Sequence, residues 1–222
     1  MRHGVLPFVA YLAMMLPLVG LHVDWELAHF WFVLQGSNWT FKHHWLTEAV
    51  LHDGGHDLAV ALYVLILLLY ISSFRLVPLK PFRSGLSYLS LSLPLATLSV
   101  SLIKRLTLVD CPWSVLDFNG ERPYQSWLQS LWSPLNGADH CFPAGHASSA
   151  YMFFGLYFFA TAFFPKQATR ILVGVIGMGL LFGLAQQLRG AHFISHDLTS
   201  ALICWYVCYG LWLYWQRLLT AA

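Results

Sequence analysis

The chain has 222 residues, of which 58% are hydrophobic and only 10% are charged, and its mean hydropathy is +0.60. This composition excludes an ordinary soluble domain, because such a domain needs more charged surface than these residues supply. The formal net charge is only +2 and no long basic run occurs, so nucleic acid is not an expected partner.

Apolar runs long enough to cross a bilayer recur along the chain. No small-residue cleavage site follows the first run, so we expect a retained helix rather than a signal peptide. No insert between the runs is large enough for a core of its own, which predicts one domain over residues 1–222. The sequence therefore predicts an all-α polytopic membrane protein with six transmembrane helices. The predicted spans are Gly4–Val23, Leu58–Phe74, Leu86–Ile103, Ala147–Phe164, Ile171–Leu188 and Leu198–Trp215.

The distribution of charge predicts the orientation of these helices. With the N-terminus inside, seven of the twelve Lys and Arg residues fall in inner segments, and all ten acidic residues fall outside. Both termini are then cytoplasmic, and two long outer segments, residues 24–57 and 105–143, face the periplasm of a bacterial inner membrane. The inner cations are Arg2, Arg75, Lys80, Arg83, Lys166, Arg170 and Arg217.

The first outer segment is rich in Trp, which suits the headgroup level of a bilayer, and in His. Thr47 is a candidate cap for a short interfacial helix that ends at Gly54–Gly55. The stretch His52–Asp57 has the composition of a metal site, but such short patterns match often. We therefore interpret it as a polar turn leading into the second helix, with contact to a lipid headgroup as the alternative. No metal ion and no other cofactor is expected.

The second outer segment contains Cys111 and Cys141, the only cysteines that fall outside. In an oxidising compartment two such thiols can pair, and we predict a disulfide bond between them. This bond would tie the end of the third helix to the start of the fourth. Two free, buried thiols are the alternative.

Charged and titratable groups concentrate near three helix ends on the outer side. The stretch Arg189–Asp197 places one Arg, two His and one Asp between two apolar runs. Such groups are costly at membrane depth unless they face one another or a wet cavity. An imidazole held by a carboxylate, with a guanidinium beside it, is a set that handles phosphate. His146 begins the fourth predicted helix, and Lys104 and Arg105 end the third.

This order of motifs resembles the type 2 phosphatidic acid phosphatase family of membrane lipid phosphatases, whose all-helical fold is shared with vanadium haloperoxidases. The family pattern is Lys-x6-Arg-Pro, then Pro-Ser-Gly-His, then Ser-Arg-x5-His-x3-Asp. Lys104 and Pro112 match the first motif, but Cys111 occupies its Arg position. Arg105 and Arg122 are the candidates to replace that phosphate ligand.

In the second motif, Pro143, Gly145 and His146 match the family and Ala144 stands in place of Ser. The backbone N–H groups at Gly145 are expected to bind phosphate at the start of a helix. The resemblance implies that His146 is the general acid that protonates the leaving oxygen.

The third motif is displaced. If His192 is the nucleophile, the family's Arg position is Gln186, and Arg189 lies three residues further on, on much the same helix face. The position of the family's Asp is His196, and Asp197 is one residue beyond it. We therefore predict that His192 is the nucleophile, that Asp197 orients its ring, and that His196 is a relay or a packing residue. In the competing register His196 is the nucleophile.

The resemblance implies a metal-independent lipid phosphatase acting through a phosphohistidine intermediate on the periplasmic face. Its partners are the bilayer and a lipid phosphate or pyrophosphate, of the polyprenyl pyrophosphate, lipid A or phosphatidyl phosphate class. A lipid-to-lipid phosphotransferase with the same histidine chemistry is one alternative. A non-catalytic lipid-binding membrane protein is another, favoured by Cys111, Ala144 and Gln186. The lipid and the oligomeric state stay open.

Overall fold

The computed structural model describes residues 2–135 and 139–221. Within these ranges the chain forms nine α-helices with short π- and 3₁₀-helical turns, and β-structure is limited to isolated bridges. The predicted all-α class is confirmed. The helices are α1 (Arg2–Met15), α2 (Val23–Leu34), α3 (Gly55–Ser72), α4 (Arg83–Leu106), α5 (Trp127–Trp132), α6 (Gly145–Tyr151), α7 (Phe154–Phe163), α8 (Pro165–Leu188) and α9 (Ile194–Ala221).

In the described part of the chain, five helical stretches are long and apolar enough to cross a membrane, which indicates a membrane protein. They correspond to five of the six predicted spans. At most 39% of the residues in any of these windows are buried inside the protein, as expected of helices whose outer faces meet lipid. The stretches are His3–Gly20, Leu46–Ser72, Val77–Leu106, Pro165–Leu188 and Ile194–Leu218.

The remaining predicted span, Ala147–Phe164, differs because a break divides it into α6 and α7. At the break the Phe153 N–H donates to the Ala150 carbonyl at 3.1 Å, three residues back, which tightens the turn. The Cys208 thiol of α9 donates to the Met152 carbonyl at 3.4 Å. Neither half is long enough to count as a span alone, so helix length does not confirm six crossings.

The core of the bundle lies between α4, α6, α7 and α9. Leu93, Ala96 and Val100 of α4 are fully buried and lie on one face, because residues three and four apart are neighbours on a helix. Phe158 of α7 and Trp205 of α9 pack with their ring centroids 5.0 Å apart. This core joins the helices that carry the three predicted motifs.

The first outer segment ends differently from the prediction. A π-helical stretch, Leu46–Gly54, continues directly into α3, so Gly54–Gly55 does not end a helix and the predicted polar turn is wrong. Gly55 allows α3 to approach α8, because a Cβ there would lie 2.7 Å from the ring of Phe182. The hydroxyl of Thr47 does not cap this helix and instead donates to the Phe41 carbonyl.

The second outer segment is closed by the predicted disulfide between Cys111 and Cys141, whose Cα atoms are 5.3 Å apart. The Cys141 N–H also donates to the Val109 carbonyl at 2.9 Å, so the two ends of the segment lie side by side. Residues 136–138 of this segment lie outside the described ranges. The bond therefore ties the end of α4 to the loop that precedes α6, as expected.

Candidate active site

The segments that carry the three predicted motifs meet at one end of the bundle. The loop before α6 is tied to α9, because the Ala144 N–H donates to the His196 carbonyl at 3.2 Å and the Ser200 hydroxyl donates to the Ala144 carbonyl at 2.8 Å. Lys104 reaches the same place from the last turn of α4, with its Nζ 3.6 Å from where a Cβ on Gly145 would lie. Residues distant in sequence thus form one site.

His192 lies in the short connection between α8 and α9 and is buried. Burial lowers the pKa of His192 well below its ordinary value of 6.5, and the charges of Lys104 and His196 lower it further, against a backbone hydrogen bond with Cys141 that raises it. The imidazole is therefore neutral at physiological pH, as a nucleophile must be. Among the described residues its Nδ1 has no hydrogen-bond partner, although it is buried. A buried polar atom without a partner is costly and often marks a functional site.

His196 and Asp197 belong to the first turn of α9 and face different neighbours. The His196 ring lies edge-on to His192, with centroids 5.8 Å apart, and packs against Phe142. Asp197 accepts a hydrogen bond from Gln187 of α8 at 2.8 Å. Its other oxygen has no partner in the described part of the chain, and no hydrogen bond joins it to His192 there. The role of Asp197 in orienting His192 stays a prediction.

Arg189 links the third motif to the first outer segment. Its guanidinium donates to the Lys42 carbonyl at 2.9 Å, pairs with Glu48 at 3.1 Å and reaches the Gln186 side chain at 3.4 Å. These bonds hold a buried cation at the end of α8 beside the residue that occupies the family's Arg position. Phosphate binding by Arg189 stays a prediction, since its nitrogens already have partners within the protein.

The two other cations predicted to bind phosphate lie apart from the histidines. Arg105 is exposed on the last turn of α4. Arg122 forms ion pairs with Asp110 and, at 3.4 Å, with Asp139 in the second outer segment. In the described part of the chain no ion pair or cation–π contact joins either arginine to the site histidines, so their role stays a prediction. Of the three predicted phosphate-binding cations near the end of α4 and in the second outer segment, Lys104 is the one that reaches the site.

His146 is half-buried at the start of α6 and is held from three directions. Its Nε2 donates to the Leu51 carbonyl at 3.0 Å, its ring stacks on Phe182, and the His52 ring packs against it at a tilt, each with a centroid distance of 4.7 Å. Burial, together with the charge of His52, lowers the pKa of His146 to about 4. The charge of His146 in turn lowers the pKa of His192, so the two imidazoles lie within electrostatic reach of each other.

Two cavities open beside the start of α6. The first, of about 520 Å³, is lined mostly by polar side chains, and the second, of about 330 Å³, is lined by both polar and apolar residues. They share His56, Gly145 and Ser149, so the first cavity adjoins a groove between α3 and α4. The first cavity is lined by His52, Asp53, His56, Asp57, Gly145, His146 and Ser149. The second cavity combines apolar residues, among them Ala59, Val60, Pro94 and Met152, with polar ones, among them Tyr63, Thr97, Ser101 and Ser148.

Asp24 is a residue of this region that the sequence analysis does not single out. It is 3% exposed and accepts two hydrogen bonds from Ser195, one from the N–H at 3.0 Å and one from the hydroxyl. Burial raises the pKa of Asp24 to about 6. These bonds fix the first turn of α9 beside His192 and His196. The partners are 171 residues apart, so the only sequence signal is an acid that directly follows an apolar run.

The described residues contain one group of three side chains with metal-ligand atoms within 4.8 Å of one another, namely Cys111, Asp139 and Cys141. Its two sulfur atoms are joined in the disulfide, so they offer no thiolate ligands. The stretch His52–Asp57 does not form such a group in the structure. Its imidazoles instead border the cavity beside His146.

The fold and the site together define an all-helical membrane protein in which imidazoles and an ammonium group meet at the ends of helices. The family model of the PAP2 superfamily matches residues 85–219, and the chain belongs to this superfamily. The match confirms the resemblance seen in the motifs and supports a phosphatase activity on phosphate esters. It begins in α4 and includes all three motifs, whereas residues 1–84 lie outside it. No curated protein and no solved structure matches the chain.

Proposed function

We propose that the protein is an integral membrane lipid phosphatase that removes a phosphate or pyrophosphate group from a membrane lipid on the periplasmic face of a bacterial inner membrane. The observation that carries this proposal is the meeting of Lys104, Gly145 and the buried, neutral His192 at one end of a bundle of apolar helices. A nucleophile and a cation placed there suit a substrate with its phosphate in water and its chains in lipid. In this proposal α6 and α7 together make a sixth crossing.

In the first step, a ring nitrogen of His192 attacks phosphorus, so that an N–P bond forms and the bond from phosphorus to the lipid oxygen breaks. Lys104 neutralises the charge on the phosphoryl oxygens, and His146 donates a proton to the leaving lipid oxygen. In the second step, water attacks the phosphohistidine while His146 accepts a proton. Phosphate leaves and His192 returns to its neutral form, so no metal ion is needed for either step.

The low pKa of His146 is compatible with a role as general acid, because that pKa applies to the site before a substrate binds. An imidazole with a pKa of about 4 is mostly neutral at pH 7. A phosphate bound between Lys104 and His192 would place negative charge near His146, and opposite charge favours the protonated form. Substrate binding itself would therefore charge the general acid.

The lipid class is proposed from the family chemistry and from the two joined cavities. The cavity beside His146 has room for a headgroup, and the apolar residues Ala59, Val60 and Met152 of the adjoining groove could contact a lipid chain. Polyprenyl pyrophosphate, lipid A and phosphatidyl phosphates are the candidates. Each has a terminal phosphate carried by long apolar chains.

The proposal is tested with the full-length protein purified in detergent, offered each candidate lipid in the presence of a chelator. Released inorganic phosphate is measured for the wild type and for His192→Ala, His146→Ala and His196→Ala. We expect His192→Ala to be inactive and His146→Ala to be strongly impaired. His44→Ala is the matched control, because it removes an imidazole of the same segment whose contacts in the described part of the chain are with Phe41, Trp45 and Leu46.

Each other outcome contradicts a defined part of the proposal. Label passed to a second lipid instead of water would identify a phosphotransferase, and no turnover with any donor would favour a lipid-binding protein. An active His192→Ala variant beside an inactive His196→Ala variant would place the nucleophile in the competing register. Loss of activity with the chelator would contradict the metal-independent mechanism.

A further inference from the structure

We infer that the first outer segment positions His146 through the Leu51 carbonyl and the His52 ring, and that Nδ1 of His146 is the nitrogen that exchanges the proton. The inference rests on the proposed function, in which His146 is the acid and base. Leu51 and His52 lie outside residues 85–219, the range that the superfamily matches. The residues that position His146 therefore belong to a part of the chain that the family pattern does not describe.

The hydrogen bond to Leu51 determines which nitrogen carries the proton. A carbonyl oxygen only accepts, so Nε2 of His146, 3.0 Å away, must be the N–H donor. Neutral His146 then has its lone pair on Nδ1, and protonation adds the second proton there. In the described part of the chain Nδ1 of His146 makes no hydrogen bond. The nitrogen left for the substrate is thus Nδ1.

The ring is also held in orientation by contacts with two aromatic rings. His52 lies at an interplanar angle of 30° and Phe182 at 22°, each with its centroid 4.7 Å from that of His146. His52 is itself held by Asp53, whose carboxylate lies 2.8 Å from its Nδ1. The His146 ring cannot rotate without losing these contacts. Such supporting groups commonly keep a catalytic ring within the narrow range of productive geometry.

Several charged or titratable groups face His146 from the elements packed around it, and His52 has the largest influence among them. When protonated, His52 disfavours a second positive charge on the neighbouring ring, so it lowers the pKa of His146. A phenylalanine at position 52 would keep an aromatic stack and remove this charge, which would raise the pKa of His146. Among the described residues, the groups that face His146 are His52, Asp53, His56, Asp57, Arg189 and His192.

The kinetic test compares His52→Ala and His52→Phe with His44→Ala in the full-length protein, using a lipid phosphate that the wild type hydrolyses. We expect His52→Ala to lower kcat about ten-fold while KM changes less than about two-fold, because only the acid is misplaced. His52→Phe should keep most of kcat and move the alkaline limb of the kcat profile to higher pH. Equal kcat values for His52→Ala and His44→Ala would overturn the inference.

A second readout does not depend on turnover. In protein labelled with ¹⁵N in its histidine rings, the His146 signals are those that disappear in His146→Gln. The inference requires the Nε2–H tautomer when His146 is neutral, and a mixture of tautomers in His52→Ala. An Nδ1–H tautomer in the wild type would overturn it. If no lipid phosphate is hydrolysed, the proposed function fails, and the tautomer still decides whether His146 is positioned as inferred.

Discussion

Gly190 gives the sharpest test of how the third motif is held, because its backbone and its surroundings both exclude a side chain. Its φ is +71°, in the left-handed region, and a Cβ would lie within 3.0 Å of three atoms of the Trp39 indole. The Gly190 carbonyl also accepts the Trp113 N–H at 2.9 Å, so the turn cannot move away without losing that bond. We predict that Gly190→Ala is destabilising and reduces activity, since His192 follows two residues later.

The magnitude combines two costs. The left-handed conformation costs a non-glycine residue about 1 to 2 kcal/mol, and overpacking a buried contact costs about 1 to 3 kcal/mol. A total near 3 kcal/mol corresponds to a fall in melting temperature of about 6 to 12 °C for a chain of this size. Trp39 is buried, so its ring has little room to turn aside.

The assay is thermal unfolding followed by tryptophan fluorescence, in one detergent and at one scan rate, because detergent-solubilised proteins often unfold irreversibly. Gly174→Ala in α8 is the matched control, since nothing lies within 4 Å of a Cβ at that position. The same Gly190→Ala change is then made in a Trp39→Ala background, where only the backbone cost should remain. An equal loss in both backgrounds would refute the role of the indole, and a wild-type melting temperature would refute the whole argument.

Three further predictions concern charge, the disulfide and the site cation. The pKa of Asp24 is raised from 3.8 to about 6, so its buried carboxylate is destabilising above pH 6 and not below pH 4. In the wild type the free energy of unfolding should therefore fall by about 3 kcal/mol between pH 4 and pH 8 because of Asp24. Asp24→Asn should abolish this fall, which is measured as melting temperature against pH. Reduction of the bond between Cys111 and Cys141, which are separated by 30 residues, should lower the free energy of unfolding by about 3 to 4 kcal/mol. Unfolding with and without reductant measures this change. Lys104→Met should lower kcat/KM by about 100-fold or more with little change in melting temperature. Arg105→Gln, measured beside it, should lower phosphate release only if this exposed arginine replaces the missing phosphate ligand.

The parts of the structure that the sequence predicts correctly depend on local patterns. Apolar runs reveal five helices because length and hydropathy are properties of a single segment. The disulfide is predicted from two thiols expected to lie in an oxidising compartment, and the structure contains it. The break within the predicted span Ala147–Phe164 is not predicted, because the apolar composition of the span is continuous. The break instead coincides with hydrogen bonds of the Phe153 N–H and the Met152 carbonyl. Hydropathy does not register such a bond.

The contacts around the motifs were beyond prediction for a different reason. Leu51 and His146 are 95 residues apart, and Arg189 and Glu48 are 141 apart. No periodicity or spacing in one sequence reports such pairs. The stretch His52–Asp57 illustrates the limit, since its composition suggested a metal set or a polar turn and the structure places it in a helix beside the second motif.

The displaced third motif becomes understandable when the first outer segment is included. Arg189 lies three residues after the family's Arg position, and it is held there by Lys42 and Glu48 of that segment. The same segment supplies Trp39 against Gly190 and Leu51 to His146. Residues 85–219, which match the superfamily, therefore have their site histidines held in place by partners in the first outer segment. It follows that residues 85–219 produced without residues 1–84 should form their helices but lose the fixed orientation of the His146 ring.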